Sequence, residues 1–155
     1  MKGEERYLSW QILSDLKRKM VFIAGARQVG KTTLALALAG KNNYLNWDVA
    51  IDREKILKRE WPSGNKILAL DEIHKYKSWR NLLKGLFDDW KEKKPILVTG
   101  SAKLDFYRRG GDSLPGRYHL LRLHPFSVAE LGLADKRDFE NLFQFGGFPE
   151  PFFSQ

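Results

Sequence analysis

The residues best suited to do chemistry form one run, Gly25-Ala26-Arg27-Gln28-Val29-Gly30-Lys31-Thr32-Thr33. Its glycines let a backbone wrap an anion without Cβ clashes. The loop N–H groups and the first turn of a following helix can then converge on that anion, aided by the helix dipole. Lys31 is long enough to reach β and γ phosphates, and the Thr32 hydroxyl offers an oxygen to a magnesium ion. The apolar run Met20–Ala24 before it and Thr33–Ala39 after it supply the strand and helix that a phosphate-binding P-loop requires. Gly25 to Thr33 are therefore the candidate phosphate-binding residues.

A second chemical signal lies at Ile67–Glu72, "ILALDE". Its apolar run suits a strand covered on both faces, and ligands of open α/β sheets sit at the carboxyl ends of such strands. Asp71 would bind magnesium together with Thr32, and Glu72 would polarise a water attacking the γ-phosphate. A later strand ends in "VTGSAK", where Thr99 and Ser101 are candidates to sense the γ-phosphate, with Ser101 preferred. A hydroxyl there can also simply cap the following turn. The stretch "DFYRRGGDSLPGRYHL" carries Arg108, Arg109 and Arg117 in a glycine-bounded loop. Arg117 is the candidate to neutralise charge on a transferring phosphoryl group, from its own chain or a neighbouring one.

The elements that would position these residues alternate in type. Leu8, Ile12, Leu13 and Leu16 mark an amphipathic helix over 5–18, before the strand at 20–24. Strands are expected again at 44–48, 66–72, 95–100 and 117–123. Between them lie the P-loop helix to Gly40, a charged surface helix over 51–60, and a helix with Trp79, Leu82, Leu83, Leu86, Phe87 and Trp90 on one face. "SVAE" at 127–130 has the capping-box pattern of a further helix start. The expected fold is α/β, with a parallel five-stranded sheet flanked by helices.

Composition narrows the classes. A chain of 155 residues, 43% hydrophobic and 30% charged, suits one soluble domain. There is no cysteine, hence no disulfide framework and no thiolate metal site. His119 and His124 lack metal-ligand spacing. No apolar run reaches membrane-spanning length and the N-terminus lacks a signal-peptide core, so a cytoplasmic protein without a membrane partner is expected. The formal charge of +8 permits ATP or nucleic acid as a polyanionic partner, but the basic residues are scattered without interleaved aromatics.

Taken in order, "YLNWD", "LDEIHKYKSWRNLLKGLFDDW", "ILVTGSA", "SLPGRYHLLRLHPFSVAEL" and "FQFGGFPEPF", with the P-loop, resemble the prokaryotic AAA-type ATP-binding proteins related to archaeal ATPases. The resemblance runs from about Arg6 to the end of the chain. It implies ATP rather than GTP and magnesium as cofactors, strand order 5-1-4-3-2, and residues 6–8 near the adenine. It also implies a winged-helix segment and a further C-terminal domain beyond a P-loop domain spanning 1–155, so the chain reads as truncated. Six phenylalanines between Phe139 and Phe153 would then face such a domain or another copy of the chain. The expected activity is magnesium-dependent ATP hydrolysis with Lys31, Glu72, Ser101 and Arg117 as catalytic groups. The alternatives are a nucleotide-dependent binding module with little turnover and, less well matched to the Asp-Glu pair, a small-molecule phosphotransferase.

Overall fold

The apolar runs separated by helical patterns fold as their periodicity demands. The computed structural model describes residues 6–90, 94–100, 114–131 and 136–154. In chain order the elements are α1 (Ser9–Asp15), β1 (Met20–Gly25), α2 (Lys31–Ala39), β2 (Tyr44–Asn46), α3 (Ala50–Lys58) and β3 (Leu68–Asp71). They continue with α4 (Trp79–Trp90), β4 (Ile96–Thr99), β5 (Tyr118–Leu123), α5 (Lys136–Phe145) and α6 (Pro149–Phe153). Short 3-10 turns occupy Lys41–Asn43 and Ile73–Lys75.

The strands form one five-stranded sheet in the order β2-β3-β4-β1-β5, and every pair is parallel. Read from the other edge, this is the expected order 5-1-4-3-2. Because all strands run the same way, their carboxyl ends share one edge, and the loops leaving β1, β3 and β4 meet there. Side chains alternate across the sheet. Met20, Phe22 and Ala24 of β1 enter one core with Leu70, Trp79 and Leu83. Val21 and Ile23 enter the other with Ile12, Leu34, Ala35 and Leu97. The sheet is thus covered on both faces, which is why β1, β3 and β4 are buried along their whole length.

Two stretches differ from the sequence expectation. Residues 128–131 form a hydrogen-bonded turn in place of the expected helix start. Half of the capping box is made, since the Glu130 N–H donates to Ser127 Oγ at 3.2 Å. The Glu130 carboxylate is taken instead by Arg6 and Tyr7, so it does not close the box. The phenylalanine-rich end contains the helices α5 and α6, which had no assigned pattern. Phe152 and Phe153 pack on Phe126 with ring centroids 5.9 and 5.5 Å away, and Phe148 joins the α1–α2 core. Only part of that end is covered, because Phe139 is 51% and Phe143 87% exposed.

Leu83 is fully buried and Phe143 is the most exposed aromatic of α5, so they provide a contrast in stability. Leu83→Ala is expected to lower unfolding free energy by about 2–5 kcal/mol. Phe143→Ala should change it by less than about 0.5 kcal/mol. Comparable losses of denaturation midpoint in both variants would contradict this assignment of the core.

Candidate functional site

The P-loop links β1 to α2, and its backbone has the shape an anion needs. Gly25 admits no side chain, because a Cβ there would lie 2.5 Å from Leu123 O on the neighbouring strand. Gln28 and Gly30 are left-handed, with φ of 61° and 95°. Val29 is fully buried and anchors the loop in the core. Lys31 folds back over the loop, donating to Gly25 O at 3.0 Å and to Ala26 O. Burial pulls its ammonium below the ordinary lysine range, while the nearby Glu72 and Asp71 carboxylates act in the opposite sense.

Beside the loop, Asp71 ends β3 at 2% exposure. Its Oδ2 accepts from Thr32 Oγ1 at 2.7 Å and from Tyr44 OH at 2.5 Å, and its Oδ1 from Thr99 Oγ1 at 2.6 Å. Parallel register produces this convergence, since Asp71 is paired with Asn46 on β2 and with Thr99 on β4. Burial and the hydrogen bond to Asp71 raise the Tyr44 phenol above its usual range, so it remains a donor at neutral pH. Carboxylate and hydroxyl oxygens are the donor types that magnesium selects. Thr32 and Asp71 therefore fit that ion, with Tyr44 and Thr99 orienting the carboxylate.

Glu72 follows in a left-handed conformation, φ 56°, uncommon for a residue with a Cβ. Its Oε2 lies 3.2 Å from Lys75 Nζ and 3.7 Å from His74 Nε2. Lys75 also donates to Asp48, and that bond, followed by the contact with Glu72, raises its pKa. These groups share one cleft of about 910 Å³, lined by Arg27, Gln28, Gly30–Thr33, Asn46, Asp48, Asp71, Glu72, His74, Lys75, Pro149 and Glu150. That volume is within the range of small-molecule and cofactor sites.

Of the candidates read from sequence, the P-loop residues, Asp71 and Glu72 are brought together. Arg117 is not. Its carbonyl accepts from the Met20 N–H at the amino ends of β5 and β1, on the edge of the sheet opposite the P-loop. Its guanidinium binds Asp88 of α4 at 2.8 Å. An arginine that begins the strand beside β1 lies on the order of 15 Å from the loop that ends β1. Arg117 thus serves the α4 side of the fold, and the expected delivery of it to the phosphates of its own chain is not met. Ser101, Arg108 and Arg109 lie outside the described residues.

A fold with this strand order, a P-loop after β1 and an acidic pair after β3 has defined relatives. Residues 17–132 match the family model described as AAA domain. The chain belongs to the AAA domain family. Among solved structures this AAA domain resembles a Signal Transduction ATPase with Numerous Domains (STAND) protein with a tetratricopeptide repeat sensor from Pyrococcus horikoshii. The TM-score is 0.55 at 16% identity, with 94% of this chain and 28% of that protein covered, so the likeness concerns the fold. No curated protein matches the chain. It is an ATPase-type nucleotide-binding domain, and no helix among the described residues is long and apolar enough to cross a membrane.

Tyr44 carried no signal of its own in the sequence, and Arg6 was marked only by the resemblance, which puts residues 6–8 near the adenine. Tyr44 reaches Asp71 only through the β2–β3 pairing. Arg6 is 8% exposed and ties the segment before α1 and the turn at 124–130 to the P-loop. It donates to Val29 O at 2.8 Å, to His124 O at 2.6 Å and to Glu130 Oε1 at 2.5 Å, with its guanidinium 4.5 Å from the Phe126 ring centroid. The Glu130 side chain is 4% exposed, so removing the cation alone would leave a buried charge. Arg6→Met should cost about 3–5 kcal/mol of stability. Adding Glu130→Gln should restore a measurable part of it, as judged by urea midpoints. A single variant as stable as wild type would remove Arg6 as a support of the loop.

Proposed function

We propose that this AAA domain binds ATP with magnesium and hydrolyses the β–γ phosphoanhydride. The observation that carries the reading is the convergence of Lys31, Thr32, Asp71 and Glu72 on one cleft. Lys31 and the loop N–H groups of 25–30 would draw the phosphates in, and the helix dipole of α2 would add to their field. Thr32 Oγ1 and Asp71 would hold the magnesium. Bound there, the ion would neutralise charge developing between the β and γ phosphates. Glu72 would take the proton of the attacking water. Thr99, already bonded to Asp71 at 2.6 Å, would link the end of β4 to the metal ligand, and Ser101, the hydroxyl preferred from the sequence, would sense the γ-phosphate. ATP as the nucleotide follows from the resemblance of the ordered motifs.

A second reading, a nucleotide-dependent binding module with slow turnover, is favoured by two contacts. The Glu72 carboxylate is engaged by Lys75 at 3.2 Å, and Arg117 is held by Asp88 at the far edge of the sheet. A charge-neutralising arginine would then come from a second copy of the chain, so that assembly would control turnover. The phenylalanines left exposed on α5 would suit such a copy or a further domain.

Equilibrium binding and phosphate release, measured on the same preparation, separate these readings. Glu72→Gln should keep ATP affinity within about twofold and lower release by about a hundredfold or more. Lys31→Ala should weaken ATP binding by at least about tenfold. Undiminished release in Glu72→Gln would sink the hydrolytic assignment. Tight binding with negligible release by the wild-type chain would favour the switch module.

A further inference from the structure

Given a nucleoside triphosphate in the cleft, as proposed above, its two ends must leave the P-loop on different sides. The sheet order β2-β3-β4-β1-β5 puts Asp71 and Glu72, at the end of β3, on one side of β1. The segment that follows β5 lies on the other side. There the Phe126 N–H donates to Gly147 O at 2.6 Å. Gly147 has no room for a side chain, because a Cβ would stand 2.3 Å from Phe126 O. This close backbone contact anchors the start of α6 against the extension of β5. It brings Pro149 and Glu150 into the wall of the cleft. Pro149 Cγ comes within 3.7 Å of the position a Gly30 Cβ would take. Glu150 Oε2 accepts from Gln28 Nε2 of the P-loop at 3.1 Å.

A γ-phosphate placed for attack by a Glu72-bound water therefore points away from α6, and the nucleoside comes out toward it. A carboxylate on that side is a poor neighbour for phosphate, since like charges repel. It is a good acceptor for hydroxyl groups, with two oxygens and several lone pairs. Paired hydroxyls at the nucleoside end of a triphosphate belong to ribose, and acidic residues read ribose hydroxyls in other nucleotide folds. We propose that Glu150 is a specificity residue that accepts hydrogen bonds from the ribose hydroxyls, making the cleft selective for ribonucleotides. The Gln28 amide holds the carboxylate in place from the P-loop side. The motif Gly146-Gly147-Phe148-Pro149-Glu150 thereby gains a chemical purpose: a glycine for the backbone contact and an acid for the sugar.

The test is binding of ATP, 2′-deoxy-ATP and 3′-deoxy-ATP, each with magnesium, to the full chain and to Glu150→Ala and Glu150→Gln. Glu150 is solvent-exposed in this structure, so the substitutions leave the core untouched. The wild-type chain should bind ATP roughly fivefold to tenfold more tightly than at least one deoxy analogue. Glu150→Ala should abolish that preference, and Glu150→Gln should keep part of it through its neutral carbonyl. Equal wild-type affinity for all three nucleotides would overturn the proposal. So would a preference that survives Glu150→Ala, or a uniform tightening of all three, which would make Glu150 a repulsive charge only. A wild-type chain that binds ATP without sugar preference loses this role for Glu150 and leaves the P-loop reading intact. One that binds no nucleotide overturns both.

Discussion

Asp71 is a carboxylate almost sealed from solvent, and it is tolerated because three hydroxyls from three elements donate to it. Burying a charge without such partners costs several kcal/mol. Thr32 brings the start of α2 to it, Tyr44 brings β2, and Thr99 brings β4. The hydrogen bonds therefore fix the P-loop helix against three neighbouring strands. Both oxygens of this carboxylate are thus engaged in holding the site together.

Much of this arrangement was legible in the residues. Continuous apolar runs at Met20–Ala24, Ile67–Leu70 and Ile96–Val98 belong to strands buried on both faces, and such strands need helices between them. The glycine spacing of 25–30 specifies a loop whose backbone approaches an anion, and the structure gives the reason for Gly25, a carbonyl of β5 where its Cβ would be. The strand order came from the resemblance, not from periodicity. What could not be read was anything that depends on register. Tyr44 looks like an ordinary strand residue until β2 is paired with β3, and Thr99, a candidate by its place at a strand end, meets Asp71 only through the β3–β4 register. Arg117 looked suited to a phosphate loop because it follows Pro115 and Gly116, but pairing with β1 puts it at the amino end of a strand. The Glu130 carboxylate fitted a capping box and was diverted by a better partner, a buried guanidinium 124 residues away in sequence.

The two ends of the chain meet at the P-loop. Arg6, from the segment before α1, reaches Val29 O and the turn at 124–130. Gly147, from the segment before α6, closes on Phe126 in that same turn. The start of α6 thus joins the sheet and its loops in lining the cleft, while Arg6 braces the P-loop beside it. This AAA domain spans 28% of the STAND protein it resembles.

Asp71 and Thr32 are proposed to form a metal-dependent nucleotide site. The most direct measurement is calorimetric titration of ATP into wild-type chain and Asp71→Asn, with magnesium and with a chelator. Magnesium is expected to tighten ATP binding by wild type severalfold or more, and the tightening should vanish in Asp71→Asn while metal-free affinity is kept. Magnesium dependence that is absent in wild type, or unchanged in the variant, would contradict the assignment of the buried carboxylate to the metal.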